Sequence, residues 1–228
     1  MYRSMLFLHW KQIRHALVLM IMASFGLPLL AVGGLGTPPG LDSASLEAYR
    51  FVAEFQTWLA AFPALAGLTG MALALSAWNW DHQVNHVYAL SLPMTRWEYT
   101  LQKMLAGMTL ALLPAAALWL GAHLAIVSIS LPVGLQAYPN ELAVRFLAAT
   151  LVSYAALFAM AAGTVKTTLA VAGVIFGFIF FGAVANDVLA GYYAYFERVH
   201  VVAAFIEWIV EGPGPFGVFA GSWTLIDV

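Results

Sequence analysis

The sequence contains no cysteine, few charged residues and no nucleotide-binding loop. The absence of cysteine from all 228 residues excludes disulfides, thiolate metal sites and a cysteine nucleophile. Charged residues make up 9% of the chain and hydrophobic residues 63%, whereas about a quarter of an ordinary soluble domain is charged. Such a chain needs a lipid bilayer around it. Its net charge of -2 does not indicate a nucleic-acid partner.

The chain has three lysines, and none of them follows a glycine. The phosphate-binding loop of P-loop ATPases requires a Gly-Lys pair followed by Ser or Thr. This sequence therefore carries no such loop. If the protein pumps a solute uphill, the energy must come from a separate ATPase.

Five segments are apolar and long enough to cross about 30 Å of hydrocarbon as helices. We therefore predict an all-α, polytopic membrane bundle of five full spans. The full spans are residues 16–33, 58–78, 104–130, 142–163 and 167–189. The short link after the fourth span predicts that the fourth and fifth spans form an antiparallel hairpin.

The two ends of the chain differ from these spans. Residues 1–15 separate apolar from basic side chains on a helical wheel, which predicts an amphipathic helix in the inner interface. The alternative is that they begin a signal peptide. Residues 190–215 are predicted to form an external segment rich in aromatics. Residues 216–228 either begin a partial sixth span or end at the outer interface.

The distribution of basic residues predicts that the N-terminus is cytoplasmic. In this orientation six of the nine Lys and Arg residues lie inside, as the positive-inside rule favours. The inner residues are Arg3, Lys11, Arg14, Arg96, Lys103 and Lys166, and the outer ones are Arg50, Arg145 and Arg198. We expect a multi-pass protein of the plasma or inner membrane.

The loop at residues 79–103 is predicted to be cytoplasmic and to contain the start of a helix. Pro93 should end any helix that leaves the second span, and Thr95 can then cap a new helix with Glu98 three residues later. That helix would carry Arg96, Trp97, Glu98, Tyr99 and Lys103 into the third span. An interfacial turn with aromatics at the membrane boundary is the simpler interpretation of the loop.

Residues 92–107 resemble the stretch between the second and third membrane helices of permease subunits of type-2 ATP-binding-cassette (ABC) exporters. The matching positions are Leu92, Pro93, Thr95, Arg96, Tyr99, Lys103, Leu105 and Gly107. Gln102 departs from the family, which often has glycine there, and residues 80–88 lack the Glu/Arg and Gly-Thr common upstream. The order of spans also resembles that of the family.

This resemblance implies a complex of two permeases, as a homodimer or with a close paralogue, and two cytoplasmic ATPase subunits. ATP and magnesium would bind in the ATPase, while this chain would hold no cofactor and no catalytic residue. Residues 79–103 would be the element that couples the two proteins. Its contacts would be Pro93, the charged residues Arg96, Glu98 and Lys103, and the aromatic anchors Trp97 and Tyr99. The substrate is not indicated.

Other polar and small residues inside the spans are candidates for function. His123, in the third span, and Asn186 and Asp187, near the outer end of the fifth, could line a substrate path, because ionisable groups in a bilayer are costly. Neutral, hydrogen-bonded residues are the alternative. Gly173 and Gly177 could form a dimer face, or could serve helix packing within one chain.

A different class of function would use the histidines of the loop. His82 and His86 lie four residues apart, a spacing that can hold a metal ion on one helix face, and Asp81 is adjacent. A metal-dependent membrane enzyme would require these residues to converge with His123. We predict a solvated helix end and no metal instead. A membrane anchor that transports nothing is a third alternative.

Overall fold

The computed structural model describes residues 2–33, 58, 60–83, 95–129, 131, 135–163, 166, 170, 173, 215–219 and 223–227, without the side chain of residue 80. Four helices in these ranges are long and apolar enough to cross a membrane. They are α1 (Tyr2–Gly33), α2 (Ala61–Gln83), α3 (Arg96–Val127) and α4 (Pro139–Ala161). The protein is thus mostly helical, as predicted. The fifth span, predicted at 167–189, lies outside the described residues except for positions 170 and 173.

The N-terminal helix differs from the prediction, because α1 runs without a break from Tyr2 to Gly33. No separate interfacial helix is present at residues 1–15 in the described part. The reason is a buried stripe with a spacing of four residues, formed by Met5, His9, Ile13 and Leu17. This stripe packs α1 mainly along α3, so the first turns belong to the bundle.

The second helix is longer at its C-terminal end than predicted. It continues past residue 78 to Gln83, which converts the first turn of the predicted loop into helix. Asp81 lies in this added turn and is 1% exposed. The predicted loop is thereby shortened, and the part between α2 and α3 at residues 84–94, which includes Pro93 and His86, lies outside the described residues.

The start of the third helix is confirmed. The backbone N–H of Glu98 donates to Thr95 Oγ1 at 3.3 Å, and the backbone N–H of Thr95 donates to Glu98 Oε2 at 3.1 Å. These two bonds satisfy donors that a helix N-terminus otherwise leaves free. From this capping box α3 continues through Pro114 to Val127, so the exposed first turn and the apolar span belong to the same helix.

The C-terminal segment differs from the predicted partial sixth span. The described residues at 215–219 and 223–227 contain a 3-10 helix, Pro215–Val218, and a two-residue strand β2, Ile226–Asp227, instead of the start of a sixth span. Strand β2 pairs antiparallel with β1, Gln136–Ala137, so the fold is not purely α. Burial explains the difference, since Trp223, Leu225 and Ile226 are between 0% and 3% exposed and are packed into the bundle.

Two apolar clusters form the interior. One is formed by all four helices and the terminal strand, around Phe62, Leu118 and Phe146. The other surrounds Leu17, Leu73 and Tyr154 near the opposite end of the helices. Large apolar side chains also cover the outside of the bundle, including Leu19, Leu120 and Val127. An apolar surface of this extent is expected for helices in contact with lipid.

Close packing of α3 against α4 depends on one glycine. A Cβ atom added at Gly107 would collide with the ring and hydroxyl of Tyr154 on α4. The Tyr154 hydroxyl donates to the carbonyl oxygens of Lys103 and Met104 at 3.4 and 3.2 Å. The tyrosine therefore holds α4 against the first turns of α3.

Candidate functional site

A group of buried polar side chains lies where the end of α2 meets the start of α3. At its centre is Asp81, whose carboxylate accepts a hydrogen bond from the ammonium group of Lys103 at 2.5 Å. Lys103 is 8% exposed, so both charges are removed from solvent. A buried charge is tolerated when it is paired and hydrogen-bonded. We call the residues Asp81, Tyr99, Lys103 and His9 the polar cluster.

Tyr99 completes the coordination of the carboxylate. Its hydroxyl lies 3.0 Å from each carboxylate oxygen of Asp81 and donates to it, and it accepts from Lys103 Nζ at 3.3 Å. Tyr99 and Lys103 are four residues apart and thus lie on the same face of α3. This spacing lets two side chains of one helix hold a single acidic residue of another.

An aromatic ring covers the ion pair. Lys103 Nζ lies 4.4 Å from the centre of the Trp78 ring, a cation–π distance. The indole N–H of Trp78 donates to the carbonyl oxygen of Phe158 at 3.1 Å, which fixes the ring against α4. The ion pair is therefore enclosed by residues of α2, α3 and, through Trp78, α4.

The helix α1 adds His9 to the same region. His9 is 4% exposed, and its Nε2 lies 3.1 Å from the Leu73 carbonyl oxygen and 2.9 Å from Ser76 Oγ. Both partners belong to α2. His9 thus connects the N-terminal helix to the helix that carries Asp81. A cavity of about 10 Å³ separates His9 from the ion pair and is lined by both.

The structure divides the predicted coupling residues into two groups. Tyr99 and Lys103 are buried and hold Asp81, so they do not form a surface for a partner protein. Arg96, Trp97 and Glu98 are exposed, and Trp97 has 71% of its surface accessible. The exposed part of the predicted element in the described residues is therefore the first turn of α3, and Pro93 lies outside them.

The histidine pair of the loop is separated from the polar cluster. His82 Nε2 lies 3.0 Å from the Ala161 carbonyl oxygen of α4 and must donate to it, because a carbonyl only accepts. His86 lies outside the described residues. Within the described ranges, no three His, Cys, Asp or Glu side chains form a group that could hold a metal ion.

At the opposite end of the bundle, His123 belongs to a small polar group. Its Nε2 lies 3.3 Å from Asn140 Oδ1, which also accepts from the indole N–H of Trp119 at 2.7 Å. Asn140 lines an open cavity of about 800 Å³. The cavity is further lined by Tyr138, Glu141, Leu142, Val144, Arg145, Val218, Thr224 and Asp227. Strand β2 and the start of α4 thus line one depression with polar and apolar walls.

The remaining predicted residues are not brought together by the described structure. Gly173 has no atom of the described residues within 4 Å of an added Cβ. Gly177, Asn186 and Asp187 lie outside the described residues. The dimer face at Gly173 and Gly177 and the substrate path at His123, Asn186 and Asp187 therefore stay predictions.

Sequence reasoning does not identify the partners within the polar cluster. It places Asp81 beside the histidines of the loop and Lys103 on a docking surface. The signal in the sequence is that both lie in turns next to apolar spans, with Tyr99 four residues before Lys103. For His9 the signal is its place in the stripe Met5, His9, Ile13. Neither pattern indicates which residue of another helix is the partner.

The four long apolar helices and their apolar exterior are consistent with a helical integral membrane protein. Comparison with family models, curated proteins and solved structures gives no match for any of the three.

Proposed function

We propose that this protein is the membrane-spanning permease subunit of a type-2 ABC exporter, which moves a substrate out of the cytoplasm with energy from a separate ATPase subunit. The observation that carries the proposal is the start of α3. There an exposed turn with Arg96, Trp97 and Glu98 is continuous with an apolar helix. These residues belong to the segment that resembles the coupling region of such permeases.

The first turn of α3 is suited to transmit movement. Helix α3 contains 32 residues, which corresponds to a length of about 48 Å at the usual helical rise. A displacement of its first turn by a docked ATPase would therefore reach the other end of the bundle. Because Asp81 of α2 is held by Tyr99 and Lys103 of α3, the end of α2 would move with it.

Trp97 is the candidate anchor for the ATPase. A tryptophan with 71% of its surface accessible, between Arg96 and Glu98, has the composition of protein-binding hot spots. A tryptophan at a membrane boundary is a second explanation for the same exposure. If Trp97 anchors the ATPase, loss of its ring should weaken the complex with the ATPase. If it only lies at the membrane boundary, the complex should be unaffected.

The proposed orientation places the polar cluster and the start of α3 at the cytoplasmic end. The first turns of α1 lie at this end, since His9 contacts Ser76 near the end of α2. The exposed bases Arg3, Lys11 and Arg14 would then face anionic headgroups of the inner leaflet. The cavity beside Asn140 would lie at the outer end, where the substrate leaves.

The test is co-purification with a co-expressed ATPase subunit. Trp97→Ala and Arg96→Glu should reduce the amount of ATPase retained and the ATPase activity of the complex by about tenfold or more, which is the size expected for loss of a hot-spot residue. Val127→Ala is the matched control, because Val127 is an exposed apolar residue at the other end of the same helix. It should leave both measurements unchanged.

Topology supplies an independent measurement. Because the chain has no cysteine, Trp97→Cys and Val127→Cys each introduce a single thiol for membrane-impermeant labelling. The proposal requires position 97 to react from the cytoplasmic side and position 127 to be unreactive there. Labelling of position 97 from outside, or full retention of the ATPase by Trp97→Ala and Arg96→Glu, would contradict the proposal.

A further inference from the structure

The hydrogen bonds of His9 determine its protonated nitrogen. The Ser76 hydroxyl donates to the Leu73 carbonyl oxygen at 2.9 Å, so its oxygen is left to accept. The Leu73 carbonyl also only accepts. Since His9 Nε2 faces these two acceptors at 2.9 and 3.1 Å, the hydrogen of the neutral ring must be on Nε2.

The other ring nitrogen is consequently a buried acceptor. His9 Nδ1 has no hydrogen-bond partner among the described residues, and the side chain is almost fully enclosed. Leaving a buried acceptor without a donor is costly, so native proteins satisfy most such atoms with protein groups or ordered water. His9 Nδ1 therefore requires a donor that can enter a small space.

The cavity beside His9 has the size and the lining for such a donor. Its volume of about 10 Å³ is close to the minimum that one water molecule needs. The polar residues of its lining are His9, Gln12, Asp81, Tyr99 and Lys103. The ammonium group of Lys103 has three N–H donors, of which Asp81 and Tyr99 receive two. Residues of α1, α2 and α3 that carry donors and acceptors thus line one water-sized space.

We propose that this cavity is a specific binding site for one water molecule, which donates to His9 Nδ1 and bridges it to the Asp81–Lys103 pair. The water would accept from the Lys103 ammonium group, with the Asp81 carboxylate as the acceptor for its second hydrogen. This site extends the ion pair of α2 and α3 to α1. The start of α1 is then bound to the Asp81–Lys103 pair, which joins the end of α2 to the start of α3.

The water site does not depend on the transport function. It follows from the tautomer of His9 and the lining of the cavity, and it can be tested on the purified full chain in lipid nanodiscs. Solid-state NMR of protein labelled with ¹⁵N-histidine reports which ring nitrogen is protonated and whether the other contacts water. The six histidines are distinguished by single substitutions.

We expect the His9 signals to show a protonated Nε2 and a hydrogen-bonded, unprotonated Nδ1 with a cross-peak to a slowly exchanging water. His9→Gln should remove these signals, while His15→Gln, a substitution at an exposed position of the same helix, should leave them unchanged. The double variant Asp81→Asn with Lys103→Met should abolish the water cross-peak but keep the tautomer, because Leu73 and Ser76 remain.

Two results would overturn the site. One is a protonated Nδ1 on His9, because this nitrogen would then donate and could not accept from water. The other is an unprotonated Nδ1 without a water cross-peak. A structure at a resolution that shows other buried waters provides a second measurement: density within hydrogen-bond distance of His9 Nδ1 and Lys103 Nζ is expected, and a cavity without density would refute the proposal.

Discussion

The Asp81–Lys103 pair allows a quantitative test of how this bundle is held together. Asp81→Asn and Lys103→Met each remove one charge and leave the other enclosed, with Asp81 at 1% and Lys103 at 8% exposure. Loss of one partner of a buried ion pair costs about 3–5 kcal/mol, since the remaining charge stays enclosed without an opposite charge. We therefore expect each single variant to lose stability by about that amount.

The stability of the double variant distinguishes the cost of an uncompensated buried charge from a simple loss of contacts. With both charges absent, no uncompensated charge remains, and the amide oxygen that Asp81→Asn introduces can still accept from the Tyr99 hydroxyl. We expect the double variant to be at least about 2 kcal/mol more stable than the Lys103→Met single variant. The ion pair is thus predicted to add little to the free energy of unfolding relative to a neutral pair, although removing only one of its charges is costly.

The assay is equilibrium unfolding in mixed detergent micelles, with thermal unfolding in nanodiscs as a second measurement. Lys11→Met is the matched control for Lys103→Met, because Lys11 is exposed on α1, and its effect should stay within about 0.5 kcal/mol. The reasoning is refuted if the double variant loses as much stability as the two single variants added together, because the two charges would then not interact.

Three further predictions concern local structure and use the same unfolding assay. Thr95→Ala should destabilise by about 1 kcal/mol through loss of the capping box, and retention of full stability would show that the cap does not matter. Gly107→Ala should cost about 1–3 kcal/mol by collision with the tyrosine of α4. Gly26→Ala, where the added methyl has no atom of the described residues within 4 Å, should be neutral or up to about 1 kcal/mol stabilising. Equal effects at both glycines would contradict the packing. Leu225→Ala should cost about 2–5 kcal/mol if the terminal strand is packed at 0% exposure, whereas a neutral result would place it outside the core.

The agreement between sequence and structure is best where the signal is local. The capping box at Thr95 and Glu98 is predictable from two residues three positions apart, because its hydrogen bonds form within one turn. The spans of α2, α3 and α4 are predicted within a few residues at most ends, because about 20 apolar residues suffice to identify a membrane helix. The end of α2 is predicted a turn too early, since Asp81 and His82 look like loop residues until their partners are known.

The differences arise where residues distant in sequence meet. Residues 1–15 have the wheel of an interfacial helix, but His9 finds acceptors on α2 and the segment packs into the bundle. Residues 216–228 are apolar enough for the start of a span, but Ile226 pairs with Ala137 of strand β1. In both cases packing against other elements outweighs the local pattern.

The sequence by itself determined that this chain needs a bilayer, forms long apolar helices and begins α3 at Thr95, because composition and short-range hydrogen bonding do not depend on the rest of the fold. Only the tertiary structure decided that Lys103 and Tyr99 face inward to Asp81 while Trp97 faces outward. The cause is physical: a charge next to a membrane helix is stable either in water or beside an opposite charge, and a sequence does not specify which of the two surrounds it.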